Sequence, residues 1–153
     1  MIYDTDIYLV EWRESRWLVL TSIMYIIPTT YSFQNGLYFL STISFLSTFI
    51  SANYWRKATL SFRRDMDLVL QKMAFFIYFC NGLYYVRGYR LLAFSPGVMF
   101  LLYNYYYSNY YYYEKKGEWL NYHIWFHMMV LTEQMVVLES QKHYLSFERK
   151  KYF

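Results

Sequence analysis

Residues 17–55 read WLVLTSIMYIIPTTYSFQNGLYFLSTISFLSTFISANYW and contain no Asp, Glu, Lys or Arg. A helix crossing the roughly 30 Å hydrocarbon core of a bilayer needs about 20 residues, most of them apolar. This stretch is long enough for two such spans, and Ser32-Phe33-Gln34-Asn35-Gly36 supplies the polar, glycine-containing turn between them. The reading predicts a first span over about residues 16–32 and a second over about 36–55. Pro28 falls near the end of the first, where a neighbouring helix can satisfy the freed backbone groups.

Working outward, Arg56 to Asp67 is a charged segment, with Arg56, Lys57, Arg63 and Arg64 set against Asp65 and Asp67, and reads as an interfacial loop. A third span follows over about 67–86, with Lys72 one turn inside, where a long side chain can snorkel outward. Arg87-Gly88-Tyr89-Arg90 makes a tight turn into a fourth span over about 91–112, in which Ser95-Pro96-Gly97 marks a kink or a late helix start. That span ends in Tyr105–Tyr107 and Tyr110–Tyr113, the aromatic belt expected at a membrane–water boundary. Beyond Glu114-Lys115-Lys116-Gly117-Glu118 comes a fifth span over about 119–139, and the tail 140–153 is basic and amphipathic, suited to the membrane surface. The expected fold is therefore all-α: a polytopic transmembrane helix bundle of about five spans in a single membrane domain, residues 1–153. Four spans result if the fourth segment is re-entrant.

Bulk composition is less informative than distribution. The chain is 57% hydrophobic and 25% aromatic, and its mean hydropathy is only +0.03 because 21 tyrosines score as nearly neutral. The net charge of +4 sits in clusters flanking the apolar runs. That pattern suits contact with lipid headgroups and argues against nucleic acid as a partner. A single Cys80 in an apolar run excludes a disulfide framework. The first sixteen residues carry Asp4, Asp6, Glu11 and Glu14 with only Arg13 and Arg16, the reverse of a basic leader, so the first span is expected to be retained as an anchor. One face would carry Arg13, Arg16, Arg56, Lys57, Arg63, Arg64, Lys115 and Lys116; the other would carry Arg87, Arg90, Lys142, Arg149, Lys150 and Lys151. The small excess on the first face puts the N-terminus inside.

Three polar features stand out from the apolar background. His123 and His127 are four residues apart, which on a helix places both imidazoles on one face, the geometry a shared metal ion requires. Gln134 continues that stripe. The plainer account is that two interfacial histidines hydrogen-bond to neighbouring helices. Asp65 and Asp67 open the third span, where pairing with Arg63, Arg64 or Lys72 competes with a catalytic role. Ser44, Ser47 and Ser51 line one face of the second span, as close helix packing through small residues requires. Alternation of the spans puts Ser51, Asp67, His123 and His127 at similar depth on one membrane face. If their helices adjoin, a serine, a carboxylate and two histidines meet in the outline of a metal-hydrolase site.

Ser51-Ala52-Asn53-Tyr54-Trp55, Arg63-Arg64-Asp65-Met66-Asp67 and His123-Ile124-Trp125-Phe126-His127 together resemble the motifs of a superfamily of membrane hydrolases. That superfamily includes the alkaline ceramidases, the adiponectin and progestin receptors and the haemolysin III-like proteins. Its pattern is a Ser-x-x-Tyr-His-like motif ending one span, an Asp opening the next, and His-x-x-x-His in the last. The similarity covers about residues 44–138. Trp55 stands where the first motif has histidine, and the family has seven spans against the five counted here.

The resemblance implies a Zn²⁺ held by His123 and His127 with Asp65 or Asp67, activating a water, while Ser51 helps to stabilise the oxyanion. His143 cannot replace the missing ligand, because it follows the fifth span on the opposite face. With one ligand position changed and two spans fewer, the leading expectation is a non-catalytic or degenerate relative of zinc-dependent membrane lipid hydrolases. The alternatives are an active zinc-dependent hydrolase of a lipid amide or ester, and an accessory membrane subunit of an organellar or viral assembly that contacts other membrane proteins. A small transporter using Lys72, Asp67 and Glu133 as a polar path comes last.

Overall fold

The computed structural model describes residues 4–151, and the last two residues of the predicted tail lie outside them. The chain folds as an all-α bundle with one small antiparallel β pair. In chain order the elements are β1 (Asp4–Tyr8), α1 (Trp12–Ile23), α2 (Ile26–Gln34), α3 (Tyr38–Arg56), β2 (Thr59–Leu60), α4 (Phe62–Tyr85), a single 3₁₀ turn (Gly88–Arg90), α5 (Leu91–Tyr113) and α6 (Trp119–Lys150). Among the described residues no helix is long and apolar enough to cross a membrane.

The first predicted span is two helices rather than one, and Pro28 explains the break. Proline has no N–H to give the carbonyl four residues back. The Met24 carbonyl instead accepts the Ile27 N–H at 3.0 Å, a tighter turn that separates α1 from α2. The predicted turn at 32–36 is present and has a specific construction. Gly36 adopts φ +73°, the Gly36 N–H donates to Phe33 O at 3.1 Å, and the Leu37 N–H donates to Ser32 O at 2.9 Å. This pair of bonds satisfies carbonyls left open at the end of α2, and the left-handed backbone suits a residue without Cβ.

Two other boundaries move. The basic segment is not wholly loop: β2 pairs with β1, and α4 begins at Phe62, five residues before the predicted start at 67. Charged residues are good helix formers, so a cluster of them ends hydrophobicity without ending the helix. The helix predicted to stop at 139 continues to Lys150, because no glycine or proline interrupts it, and Arg149 and Lys150 complement the dipole of its last turn. At about 1.5 Å per residue, the 32 residues of α6 make a rod of about 48 Å. Pro96 sits inside α5, which begins at Leu91 and passes through the proline without stopping.

α6 organises the bundle, contacting α1, α2, α4 and α5, while α3 packs on α1, α2 and α4. Two apolar clusters close its ends. Leu40, Ile43, Ala74, Tyr78, Phe94 and Val137 fill one, and Val10, Leu18, Tyr54, Trp55, Ala58 and Trp119 fill the other. Between them the helices present polar side chains to one another. Ser44, Ser47 and Ser51 on α3, Asn104 and Ser108 on α5, and His127, Glu133 and Gln134 on α6 are all buried. The outer surface shows the opposite character: Phe49 is 65% exposed, Phe76 66% and Leu92 79%. In α5 the buried residues Phe94, Gly97, Leu101, Asn104 and Ser108 recur every three or four positions, one helical stripe.

Gly82 marks a tight helix crossing. A Cβ there would overlap the ring of Phe94, which is buried and stacked on Phe79 at 6.4 Å. Gly82→Ala must displace that ring and is expected to lower stability by about 1–3 kcal/mol despite alanine's better helix propensity. Denaturant unfolding in detergent measures this. An unchanged or raised midpoint would contradict the α4–α5 contact.

Candidate functional site

The end of α3, the first two-thirds of α4, the length of α5 and the first half of α6 line a cavity of about 590 Å³. Ser51, Asp67, His123 and His127, named from the sequence for one site, all line it. Gln134, read as continuing the histidine stripe, lines it too, as does Glu133. Asp65 is half-buried on α4; two residues on a helix turn the side chain by about 200°, so Asp67 and not Asp65 is the carboxylate at the cavity wall.

Ser51, Asp67, His123 and His127 are each held by a neighbour. The Ser51 hydroxyl lies 3.0 Å from Ser22 Oγ of α1, and both Ser51 and Asp67 line the cavity. Gln71, one turn along α4, donates from Nε2 to Asp67 Oδ1 at 3.2 Å. His127 Nδ1 lies 2.8 Å from Thr21 Oγ1, and Thr21 donates its only hydroxyl hydrogen to Leu18 O at 3.2 Å. The proton in the first of these bonds therefore belongs to His127 Nδ1, which leaves the lone pair on Nε2. His123 Nδ1 lies 2.9 Å from Ser108 Oγ of α5. Both rings are thus oriented through Nδ1, and their centroids are 4.9 Å apart.

Trp55 occupies the remaining side of the histidine pair. Its indole meets His123 edge-on at 5.1 Å between centroids, and the ring is buried. Its Nε1 is a buried donor with no hydrogen-bond partner. A zinc site of the kind implied by the sequence needs three protein ligands and an open position. Among the described residues, no three His, Cys, Asp or Glu side chains form a group that could hold a metal ion. Two imidazoles and an indole do not supply that donor set, and neither Asp65 nor Asp67 joins the two histidines in such a group.

Sequence reasoning did not identify Thr21, Ser22, Gln71 or Ser108, the hydroxyls and amide that hold the four central groups. Gln71 was accessible in principle, since it lies four residues after Asp67 and so shares its helix face. The other three depend on which helices adjoin, and no spacing in the chain encodes that.

Comparison of the chain with known protein families, with curated proteins and with solved structures gives no match.

Proposed function

We propose that this protein is a membrane-embedded, non-catalytic relative of the zinc-dependent membrane lipid hydrolases, and that it holds a lipid-derived molecule in the cavity between its helices. The observation that carries the reading is the cavity itself, apolar along most of its wall with polar groups held at fixed places. Such a shape matches a ligand with a long apolar body. The inverted distribution of side chains supports the membrane part. Ser44, Ser47, His127, Glu133 and Gln134 point inward while Phe49, Phe76 and Leu92 face out. Exposed apolar side chains spread over several helices suit contact with lipid or protein. Mean hydropathy, which averages both faces of a helix, understates the apolar character of the outer face alone. Polar residues facing the bundle interior are the usual arrangement in lipid. Trp55 at the ligand position supports the non-catalytic part.

Carbonate-washed membranes and lipid extraction from the purified chain test this together. The protein is expected to stay in the membrane pellet at high pH and to carry a lipid enriched over the surrounding detergent extract. Val130→Trp places an indole in the cavity between His127 and Gln134 and is expected to remove that lipid. Release into the carbonate supernatant, or an identical lipid profile for the variant, would overturn the proposal.

A further inference from the structure

The cavity extends well beyond the Ser51–Asp67–His123 end. Ten residues along α6, about 15 Å by the helical rise, it reaches Glu133 and Gln134. These side chains are 7% and 3% exposed, and Glu133 Oε2 and Gln134 Oε1 have no hydrogen-bond partner. Among the described residues no lysine, arginine or histidine is bonded to either. Gly97 of α5 leaves the space that the carboxyl uses, since a Cβ at that position would overlap it. The surrounding wall is aliphatic and aromatic, including Leu101, Val137 and Phe94.

Two unpartnered buried oxygens on consecutive residues of α6 define what would complete them. Both are acceptors, so an occupant must bring donors; one belongs to an acid, so a cation is preferred to a neutral donor. A carboxylate or phosphate brings no donor and adds a like charge. An alcohol brings one donor for two oxygens. We propose that the Glu133–Gln134 end of the cavity is a subsite for an ammonium group carried on an apolar chain. The ammonium donates to Glu133 Oε2 and Gln134 Oε1, and the chain lies along the wall toward Asp67. This subsite rests on the proposed role of the cavity in holding an amphiphile, and it names the charge of the group bound there.

Calorimetric titration of the chain in a neutral detergent with decylammonium, decanol and decanoate tests it, with Glu133→Gln, Gln134→Leu and Val130→Trp run beside the wild type. Decylammonium is expected to bind at least tenfold more tightly than decanol, and decanoate not to saturate. Glu133→Gln should erase the preference for the cation over decanol, and Val130→Trp should abolish binding of both. Gln134→Leu should weaken decylammonium alone and serves if the Glu133 variant does not fold. Equal affinity for amine and alcohol, or a preference that survives both Glu133→Gln and Gln134→Leu, would overturn the subsite and leave the cavity's ligand-holding role standing. If none of the three compounds binds, the cavity reading fails and the subsite with it.

Discussion

Trp55→His is expected to convert a chain that purifies without stoichiometric zinc into one that carries close to one Zn²⁺ per molecule. The imidazoles of His123 and His127 already stand side by side, with ring centroids 4.9 Å apart. Each is oriented through Nδ1 by a hydroxyl, from Ser108 and Thr21 respectively, which leaves Nε2 as the ligating atom. Such support of the non-ligating nitrogen commonly raises metal affinity by about 10–100-fold. The indole of Trp55 packs against His123 from the end of α3, so a shorter imidazole at the same position brings a third nitrogen to the same space. Three nitrogens with an open fourth position form a familiar zinc arrangement. Metal analysis of the purified variant gives the first readout. The second is a rise in thermal midpoint on adding zinc, which amounts to about 4 kcal/mol at a thousandfold excess over Kd. His127→Ala in the same background should cancel both. A folded Trp55→His chain that takes up no zinc would show that the three positions do not converge as described. Stoichiometric zinc on the wild type would instead overturn the non-catalytic reading in favour of the hydrolase.

The reach of sequence reasoning follows a physical line. Charge placement and turn residues located α3 and α5 to within a few residues, because both are bounded by polar turns. They failed where a boundary is not a change in hydropathy. Arg63, Arg64 and Asp65 belong to the first turns of α4, and Lys142 to the body of α6. The β1–β2 pair was missed because a two-residue strand has no period to detect. At the site, alternation of the helices was sufficient to bring Ser51, Asp67, His123 and His127 to one depth. The identity of their partners was not, since Thr21 and Ser22 reach them only through the packing of α1 on α6 and α3. The orphaned oxygens of Glu133 and Gln134 are a further case, visible only when every neighbour is in place.

Phe49→Lys and Phe76→Lys are expected to damage this protein severely, although both side chains lie on its outside. Phe49 on α3 is 65% exposed and Phe76 on α4 66%. In water, substitutions at such positions stay within about 0.5 kcal/mol, and lysine for phenylalanine would if anything improve solubility. Against hydrocarbon, a central lysine costs about 2.5–3.5 kcal/mol on insertion scales, and the two together approach the whole stability of a small domain. The double variant should therefore fail to accumulate in membranes, whereas Glu114→Lys, on the exposed turn between α5 and α6, should accumulate normally. Position along the helix sharpens the comparison. Phe49 and Phe76 lie within α3 and α4 and away from their ends, where snorkelling to an interface is hardest. Phe62, 61% exposed at the first position of α4, is near enough to the charged boundary for lysine to be tolerated. A graded loss, large at 49 and 76 and small at 62, is the signature of a lipid-facing belt. Uniform tolerance at all three would place this outer surface in water or against a polar partner and remove the membrane from the proposal.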